Sequence, residues 1–545
     1  MIAKTGIKFI ISLTYLLFVA CLISISSSCK QDDKNGVEII QEVTPQNYYI
    51  DAVSGNDLNN GTSSGSAWQT FTKVNERTFI AGNQILLKTG CVWNQQLKPK
   101  GSGSPTSPII LGSYGIGNKP IINGQGVSGA VVYLKNQSNW IIQNLEITNY
   151  ASERSYIYRW GINIENYDAG TLRNIQILNN YIHQVSGSFY WPNVQSVYAG
   201  PHCNGGIALN VTGSSGTDKF DNVLIEGNTV SHSGRTGIVV WDNVWNGTDY
   251  ASTNVKIRKN TVEFIDSDGI LTFGCNGALI EYNTANTCGN YAEKGMFNGS
   301  AAIWPTRGSN CIVQYNEAYN TRALLDNIDG EGFDVDIDAT DCIVQYNYSH
   351  DNAGGFLVIV NAKGSPGVYL GTTGTIVRYN ISQNDGTRVI NIAGGIGKNT
   401  AIYNNTFYVG SGNSTNIIEH SWDIDMTQPL SFMNNIICNF GDGKFDIPGT
   451  LSGNTTFNYN LYFGNHPESE PKEINKLTGD PLFVNPGSGT SGINSLDGYK
   501  LKSGSPAIAS GILMGNASKR DFWGNQISAT SIPNRGAYGG VGLNP

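Results

Sequence analysis

The chain has 545 residues, a formal net charge of −8 at pH 7 and only 14 % charged residues. Nucleic-acid binding requires basic patches, so this charge balance argues against a nucleic-acid partner. With so few Glu, Lys and Arg, the chain cannot form many long helices with charged faces. Its 66 Gly and its many Asn favour an all-β fold that is rich in turns.

The N-terminal segment has the order of a secretory signal. Two lysines precede an apolar run over residues 9–25, and three serines lead to Cys29. This order predicts a signal peptide over residues 1–28. The alternative is a membrane anchor, because the apolar run is almost long enough to span a bilayer. We prefer the signal peptide.

The sequence Ser-Ser-Ser-Cys29 resembles the lipobox of bacterial lipoproteins, and the acidic pair Asp32-Asp33 resembles surface-export signals of some Gram-negative lipoproteins. The resemblance implies a lipid anchor on Cys29, with residues 29–47 as a tether. One lipidated terminus attaches a protein to a membrane without spanning it. We therefore expect an exported protein at the outer membrane or cell surface of a Gram-negative bacterium, or in its periplasm.

The rest of the chain repeats one unit, in which an alternating apolar strand ends at an Asn and a second strand follows a Gly. The Asn recurs at Asn144, Asn228, Asn260, Asn283, Asn316, Asn347, Asn380, Asn405 and Asn435. A unit this short cannot bury a face alone, so the copies must stack coaxially. Stacking at about 4.8 Å per rung predicts a parallel β-helix.

Period-two alternation predicts which side chains face the interior of this solenoid. In the unit that ends at Asn347, we expect Ile343 to point inward. The repeated Asn is expected to bond to the Asn of the next rung in an internal ladder. Cys311 and Cys342 occupy equivalent places in consecutive units and are predicted to be stacked core thiols, with a disulfide as the alternative.

Both ends of the repeat region resemble a known superfamily. The opening segments 48–62 and 67–71, and the closing segment over about 480–545, are similar to those of the right-handed parallel β-helix proteins of the pectate-lyase-like superfamily. The resemblance implies one solenoid over residues 48–545, with an N-terminal cap and a C-terminal closing segment. It is specific to the architecture and does not specify a reaction.

Function on such a solenoid belongs to the outer wall, because the interior is packed. One strand is expected to direct Phe333, Val335 and Ile337 inward. Three acids would then project outward, about 7 Å apart at each step: Asp334, Asp336 and Asp338. Two rungs earlier, Asp266 aligns with Asp329 and Asp268 aligns with Glu331. Later rungs are expected to add His350, Asp351, Asp385 and Arg388 to the same patch.

Adjacent like charges are destabilising, so this row of acids requires a reason. One explanation is a solvated edge or a structural cation. The preferred hypothesis is an enzyme that hydrolyses glycosidic bonds of a polysaccharide without a cofactor, with Asp334 and Asp336 as the acid and base pair. Its catalytic candidates are Glu331, Asp334, Asp336, His350 and Arg388. Its substrate-binding candidates are Asp268, Asp351, Asp385, Trp241 and Trp304.

Two alternatives remain open. In the first, Asp329, Glu331 and Asp334 bind calcium in a lyase that acts on a uronic-acid glycan. These acids are similar to the calcium-binding acidic box of one pectate lyase family, but Leu357 stands where that family has its catalytic Lys. Arg388 or Lys363 would have to act as the base. In the second alternative, the wall binds a glycan without cleaving it.

His202 and His232 are predicted to lie in turns of the solenoid.

The anchor assignment predicts the behaviour of Cys29→Ala. Because only the Cys thiol can carry the lipid, this variant should leave the membrane fraction or fail to be processed. Metabolic labelling with a radioactive fatty acid measures the effect directly. Equal incorporation into wild type and variant would refute the assignment.

Overall fold

The computed structural model describes residues 44–152, 157–188, 201–242, 251–291, 300–323, 329–361, 371–394, 397–421, 429–447, 455–515 and 518–544. From Gln46 onward the chain forms one compact unit. The signal peptide and the lipid anchor predicted at its N-terminus lie outside the described residues. No helix within the described residues is long and apolar enough to cross a membrane.

Three long parallel sheets contain most of the regular structure. Sheet 1 consists of Asn47–Ile50, Gln84–Lys88, Ile109–Tyr114, Trp140–Gln143, Thr171–Leu178, Lys219–Glu226, Ser252–Arg258, Cys275–Asn276, Leu279–Glu281, Ile312–Gln314, Ile343–Gln345, Ile376–Arg378, Thr400–Tyr403, Leu430–Met433 and Thr455–Asn458. Sheet 2 consists of Val92–Trp93, Ile121–Asn123, Glu146–Asn149, Tyr181–Val185, Thr229–Ser233, Thr261–Glu263, Thr284–Asn286, Glu317–Tyr319, Tyr348–His350, Ile381–Gln383, Thr406–Val409, Ile436–Asn439, Leu461–Gly464 and Leu477–Thr478. Sheet 3 consists of Gly129–Lys135, Arg159–Asn166, Gly205–Val211, Thr236–Asp242, Ile270–Phe273, Ala301–Thr306, Glu331–Val335, Gly355–Asn361, Arg388–Gly394, Asn416–Ser421 and Phe445–Asp446.

Few other elements accompany the three sheets. A short parallel pair joins Thr372–Thr373 and Gly397–Lys398, one α-helix spans Thr72–Glu76, and 3-10 turns lie at Ser64–Ser66, Pro201–Cys203 and Ile493–Tyr499. In most turns the chain passes through sheets 1, 2 and 3 in order, and the strands of each sheet pair in parallel from one turn to the next. Such crossovers are right-handed. The predicted right-handed parallel β-helix is therefore confirmed.

The interior is a set of columns in which equivalent residues of successive rungs stack. One column of sheet 3 runs through Ile162, Ile207, Ile238, Ile270, Ile303, Phe333, Leu357, Ile390 and Ile418, all of them buried. Each of these side chains leaves water on stacking, and burial of a large aliphatic side chain stabilises a fold by about 1.5–3 kcal/mol. Cys311 and Cys342 are free and buried, as predicted for core thiols.

An internal Asn ladder joins the rungs at the turn between sheets 1 and 2. Each amide Nδ2 donates to the Oδ1 of the next Asn at 2.9–3.1 Å, from Asn180 through Asn228, Asn260, Asn283, Asn316, Asn347, Asn380, Asn405 and Asn435 to Asn460. The predicted ladder is confirmed, except at Asn144. That residue takes the left-handed turn position with φ 59°, and Leu145 stands at the ladder position.

Several strands of sheet 1 carry one apolar residue on the outer face as well as one on the inner face: Leu279–Glu281, Ile312–Gln314, Ile343–Gln345 and Ile376–Arg378. Val344 is fully buried in the interior, whereas Ile343 faces the outer wall and is partly exposed. The C-terminal segment covers part of this wall, where Tyr346 donates a hydrogen bond to the carbonyl of Arg520 at 3.0 Å. A strand that is covered on both sides carries apolar residues at consecutive positions. The prediction that Ile343 points inward is therefore wrong.

This arrangement predicts opposite outcomes for two adjacent substitutions. Val344→Asp places a charge without a partner in the packed interior, which costs several kcal/mol, and should prevent folding or lower the unfolding midpoint steeply. Ile343→Asp places the same charge at the outer wall and should have a much smaller effect. Thermal unfolding followed by circular dichroism measures both variants. Equal destabilisation would show that the inward register is assigned incorrectly.

Candidate active site

The acidic strand Glu331–Val335 lies in the middle of sheet 3 with the predicted register. Phe333 and Val335 belong to the interior core, so Asp334 faces the outer wall. Glu331 is paired with Ala301 on the preceding rung, and Ile270, Ile303 and Phe333 share one column. Asp268 lies two residues before Ile270, and Glu331 lies two residues before Phe333. Asp268 therefore stands two rungs before Glu331. The predicted alignment of these two acids is confirmed.

The strand ends earlier than predicted. Val335 is its last residue, and the Asp336 N–H donates to the carbonyl of Pro305 at 3.0 Å as the chain turns. Ile337 packs against Val358 and Val360, whose side chains face outward. The prediction that Ile337 points into the core is therefore wrong, because the alternation that it assumed stops before the turn.

The same turn gives Asp338 a structural role. Asp338 has φ 59°, its carboxylate accepts a hydrogen bond from the Gly371 N–H at 2.9 Å, and it pairs with Arg307 at 3.7 Å. Its side chain is fully buried. Asp338 therefore holds two turns together and does not project from the wall with Asp334 and Asp336.

Four carboxyl groups of the segment 329–336 form one electrostatic cluster on this wall. Burial raises the pKa of Asp334 well above its ordinary value, and the charges of Asp336, Asp329 and Glu331 raise it further. Burial and the charge of Glu331 likewise raise the pKa of Asp329 well above its ordinary value. Like charges in a poorly solvated site disfavour ionisation of their neighbours. Ionisation of Asp334 and Asp329 is therefore disfavoured.

Asp336 differs from Asp334 and Asp329 in its immediate partners. Burial raises its pKa to about 6, while hydrogen bonds from the Ile337 N–H and the Thr306 hydroxyl and the charge of Arg307 oppose that rise. Hydrogen bonds donated to a carboxylate stabilise the ionised form. Ionisation of Asp336 is consequently less disfavoured than that of Asp334 or Asp329.

Arg388 clamps the middle of the cluster. Its Nη2 donates to Glu331 Oε1 at 2.9 Å, and its Nη1 lies 3.7 Å from Glu419 Oε1. Both Glu331 and Arg388 are buried. Burial raises the pKa of Glu331, and the neighbouring guanidinium of Arg388 opposes that rise. A guanidinium only donates hydrogen bonds, and that of Arg388 lies between two carboxylates, so its proposed role as a base does not fit this geometry.

A second buried clamp, which the sequence analysis missed, holds Asp268. Its carboxylate pairs with Arg235 at 2.9 Å and with the His202 ring at 3.0 Å. Burial opposes ionisation of Asp268, but these two neighbours lower its pKa overall. His202 is buried and does not lie in a solvated turn. The residues come from three different turns of the helix, so no local motif joins them in the sequence.

Trp241 and Trp304 belong to an apolar cluster on the same wall. Trp241 stacks on Phe273 at 4.2 Å and on His202 at 5.2 Å between ring centroids. The exposed fractions of Trp241 and Trp304 are only 2 % and 6 %. These rings therefore offer no broad exposed face on which a sugar could stack, and their visible role is to pack around His202.

His350, Asp351 and Asp385 do not join the patch. His350 ends the strand Tyr348–His350 of sheet 2, where it contacts Glu317 at 3.2 Å and Asp351 at 2.7 Å. The closing segment covers this position, because the Gly492 N–H also donates to Glu317.

Asp385 accepts hydrogen bonds from Asn352 and Ser382 within the turn between sheets 2 and 3. The placement of these three residues on the acidic wall is corrected, since the alignment used sequence order without assigning the sheet.

The fold and this wall define the protein as a right-handed parallel β-helix with a buried acidic cluster on sheet 3. No protein-family model matches the chain. The chain is 29 % identical to lacto-N-biosidase of Bifidobacterium longum subsp. longum, in an alignment that covers 88 % of this chain and 36 % of that protein. The chain thus spans little more than a third of the length of this relative.

Solved structures are also similar to this chain. The GH136 lacto-N-biosidase from Eubacterium ramulus matches 70 % of this chain and 66 % of its own, with a TM-score of 0.57 and 23 % identity. XylC in complex with xylose matches 91 % of this chain and 99 % of its own, with a TM-score of 0.52 and 11 % identity. At these identities the structures establish the shared fold.

The raised pKa of Asp334 predicts the pH dependence of stability. The folded carboxyl keeps its proton at pH values where the unfolded chain, with a pKa of about 3.9, has lost it. Stability is therefore lost as the pH rises from the unfolded pKa towards the folded one. Asp334→Asn removes this loss and should raise the unfolding midpoint more at pH 7 than at pH 4, as measured by scanning calorimetry.

Asp221→Asn is the matched control. Burial of Asp221 is outweighed by hydrogen bonds from Asn254 and Thr253, which lower its pKa overall. Its carboxylate therefore stabilises the fold above the unfolded pKa, and the Asn variant should lower the midpoint at pH 7. A midpoint for Asp334→Asn that falls at pH 7 would contradict the acidic cluster described above.

Proposed function

We propose that this chain is a glycoside hydrolase whose catalytic carboxyl groups lie on the outer wall of sheet 3. The observation that carries the proposal is the separation of pKa values within one cluster. Asp329 and Asp334 have pKa values well above the ordinary range, whereas the pKa of Asp336 is about 6. Acid–base cleavage of a glycosidic bond requires such a pair, with one carboxyl protonated and one ionised.

Asp336 takes the role of the ionised partner. Hydrogen bonds from Thr306 and from the Ile337 N–H favour its carboxylate form. At pH values above 6 it acts as the nucleophile, or as the base that activates water. The distance between the two catalytic carboxyl groups decides between these two roles. The stereochemistry of the product, retained or inverted, shows which role applies.

The protonated partner is Asp329 in this proposal. The pKa values of Asp329 and Asp334 are both raised, but Asp329 is more exposed than Asp334, of which 9 % is accessible. A general acid must reach the leaving oxygen of the substrate. From the sequence alone, Asp334 and Asp336 together were the predicted acid and base pair. In this proposal Asp334 is a neighbour of the pair and not a member of it.

Glu331 and Arg388 hold the cluster together. Their ion pair is buried, so removal of either partner would leave an uncompensated charge inside the wall. The pair also fills the place that a cation would need. Calcium prefers several carboxylate oxygens, and Glu331 already has a guanidinium at 2.9 Å. We therefore propose hydrolysis without a metal cofactor.

Three observations on the described residues disfavour the lyase alternative. Leu357, at the position where a catalytic Lys would be wanted, pairs with Phe333 and lies fully buried in the core. Arg388 is ion-paired on both sides. Lys363 lies outside the described residues, so its role as the alternative base stays a prediction. Within the described residues, no group of three His, Cys, Asp or Glu side chains is arranged to hold a metal ion.

The second alternative, a wall that binds glycans without cleaving them, would not need carboxyl groups with such different pKa values.

The substrate in this proposal is a neutral glycan that ends in lacto-N-biose. The name of the Bifidobacterium relative supports this choice, although the alignment covers only 36 % of that protein. The charge of the site agrees, because its arginines Arg235 and Arg388 are already paired with Asp268 and Glu331. The ionised carboxyl groups of the described cluster would repel a polyuronate.

We also propose that the protein acts outside the cytoplasm and is attached through a lipid on Cys29. The support is the order of charged, apolar and small residues before that cysteine. An exported location suits an enzyme for large glycans, which do not enter the cell intact.

The hydrolase assignment predicts that Asp336→Asn and Asp329→Asn each lower kcat by at least about 10²-fold, the loss expected when one acid–base group is removed. The assay uses a chromogenic aryl lacto-N-bioside and a lacto-N-biose-terminated oligosaccharide. Wild-type kcat/KM should rise with pH through about 6, because Asp336 must be ionised. Asp336→Asn should remove this rise from any residual activity.

Asp329→Asn provides an internal check on the two roles. An aryl leaving group needs little protonation, so this variant should lose less activity on the aryl substrate than on the oligosaccharide. A chelator should leave wild-type activity unchanged, and products should gain water without an unsaturated end. Full activity of Asp336→Asn, or dependence on calcium, would overturn the assignment.

A further inference from the structure

A cavity of about 320 Å³ opens at the corner between sheets 2 and 3, on the rungs that precede the acidic cluster. Its wall is formed by Tyr150, Ala151, Ser152, Gln184, Val185, Ser186, Gly187, His232, Gly234, Phe264, Asp266 and Asn290. These residues come from five successive corners, so the groove follows the helix axis over roughly 19 Å at 4.8 Å per rung. The volume is in the range of small-ligand sites.

Glycines make the floor of this groove. A Cβ added to Gly187 would lie 2.3 Å from the carbonyl oxygen of Gly234, and one added to Gly234 would lie 2.5 Å from the Gly187 nitrogen. Side chains are therefore excluded where the two corners touch. The connection at Gly234 and Arg235 is also only two residues long, between Thr229–Ser233 and Thr236–Asp242. The groove depends on this short corner.

Aromatic rings stand along the groove. His232 stacks on Phe264 with 4.9 Å between ring centroids and 27° between planes. Tyr150, on the same cavity wall, has 57 % of its surface exposed. Exposed aromatic rings at a concave site serve as platforms for ligands that have flat apolar faces. The C–H faces of pyranose rings have this character.

The other groups around the groove suit a ligand that is rich in hydroxyls and has no net charge. Gln184, Ser152 and Asn290 offer amide and hydroxyl groups, which can donate and accept hydrogen bonds. Among the described wall residues, Asp266, His232 and Tyr150 are the ionisable side chains. A phosphate or uronate would require a cluster of cations, and the described residues of this wall include no Lys or Arg.

The groove leads towards the acidic cluster. Asp266, at one end, lies two residues before Asp268, just as Asp329 lies two residues before Glu331. Asp268 and Glu331 are two rungs apart in one column, about 10 Å at 4.8 Å per rung. A chain-like ligand bound along the corner would therefore reach Asp329.

We propose that this corner groove is an additional subsite that binds the part of a neutral oligosaccharide lying beyond the bond to be cleaved. This inference rests on the proposed hydrolase function and adds to it a preference for longer glycans. Contacts remote from the cleaved bond improve kcat/KM only for substrates long enough to make them.

The test compares Tyr150→Ala and Phe264→Ala with wild type on two probes. On an aryl lacto-N-bioside, which is too short to fill the groove, kcat/KM should stay within a factor of two. On a lacto-N-biose-terminated hexasaccharide, it should fall about tenfold or more, since loss of one aromatic sugar contact costs about that factor. Tyr167→Ala is the matched control, because Tyr167 is 48 % exposed and lies away from the groove.

Each outcome separates the two proposals. Unchanged kcat/KM of both variants on the hexasaccharide overturns the subsite and leaves the hydrolase assignment intact. An equal loss on both probes also overturns it, because the groove would then act through the cluster itself. If wild type cleaves neither probe, the hydrolase assignment fails, and calorimetric titration of the hexasaccharide still tests the groove. Binding that Tyr150→Ala weakens tenfold supports the groove, and no binding to wild type overturns it.

Discussion

Parallel stacking of rungs at about 4.8 Å is the constraint on which the rest of this structure depends. The Asn ladder from Asn180 to Asn460 sets the register at one turn of every rung, because each amide must meet the next at 2.9–3.1 Å. Buried columns of Ile, Val, Leu and Phe hold the same register inside. Once this register is set, residues far apart in sequence become neighbours on the outer wall.

The acidic cluster is a consequence of that register. Asp268 and Glu331 are 63 positions apart in the chain but only two rungs apart in space. Such a concentration of carboxyls opposes folding, and the wall contains two buried clamps that limit the cost, Arg388 on Glu331 and Arg235 on Asp268. Burial and neighbouring carboxyl groups raise the pKa values of Asp329 and Asp334. Asp336 accepts hydrogen bonds and faces Arg307, and both oppose the rise of its pKa. The separation of pKa values that the proposed hydrolysis needs thus arises from the immediate partners of each carboxyl group.

The outer surface of the solenoid is divided between structural and functional faces. The closing segment covers part of sheets 1 and 2, including the environment of His350 through Glu317. Sheet 3 carries the acids, and its corner with sheet 2 carries the groove beside Tyr150 and Phe264. His350 on sheet 2 is therefore part of a covered, structural face, whereas the acids on sheet 3 remain on the outer wall.

The sequence by itself determined the architecture, the Asn ladder and the acidic patch at Glu331, Asp334 and Asp336. These features depend on local periodicity and on the repeat length, which are visible in one dimension. Tertiary structure alone decided that Ile343 faces outward, that Ile337 leaves the core, and that His350 and Asp385 lie apart from the acids. It also brought His202 and Arg235 to Asp268. The physical reason is that sheet membership, strand ends and coverage by distant segments depend on contacts between turns of the helix, which no repeat unit encodes alone.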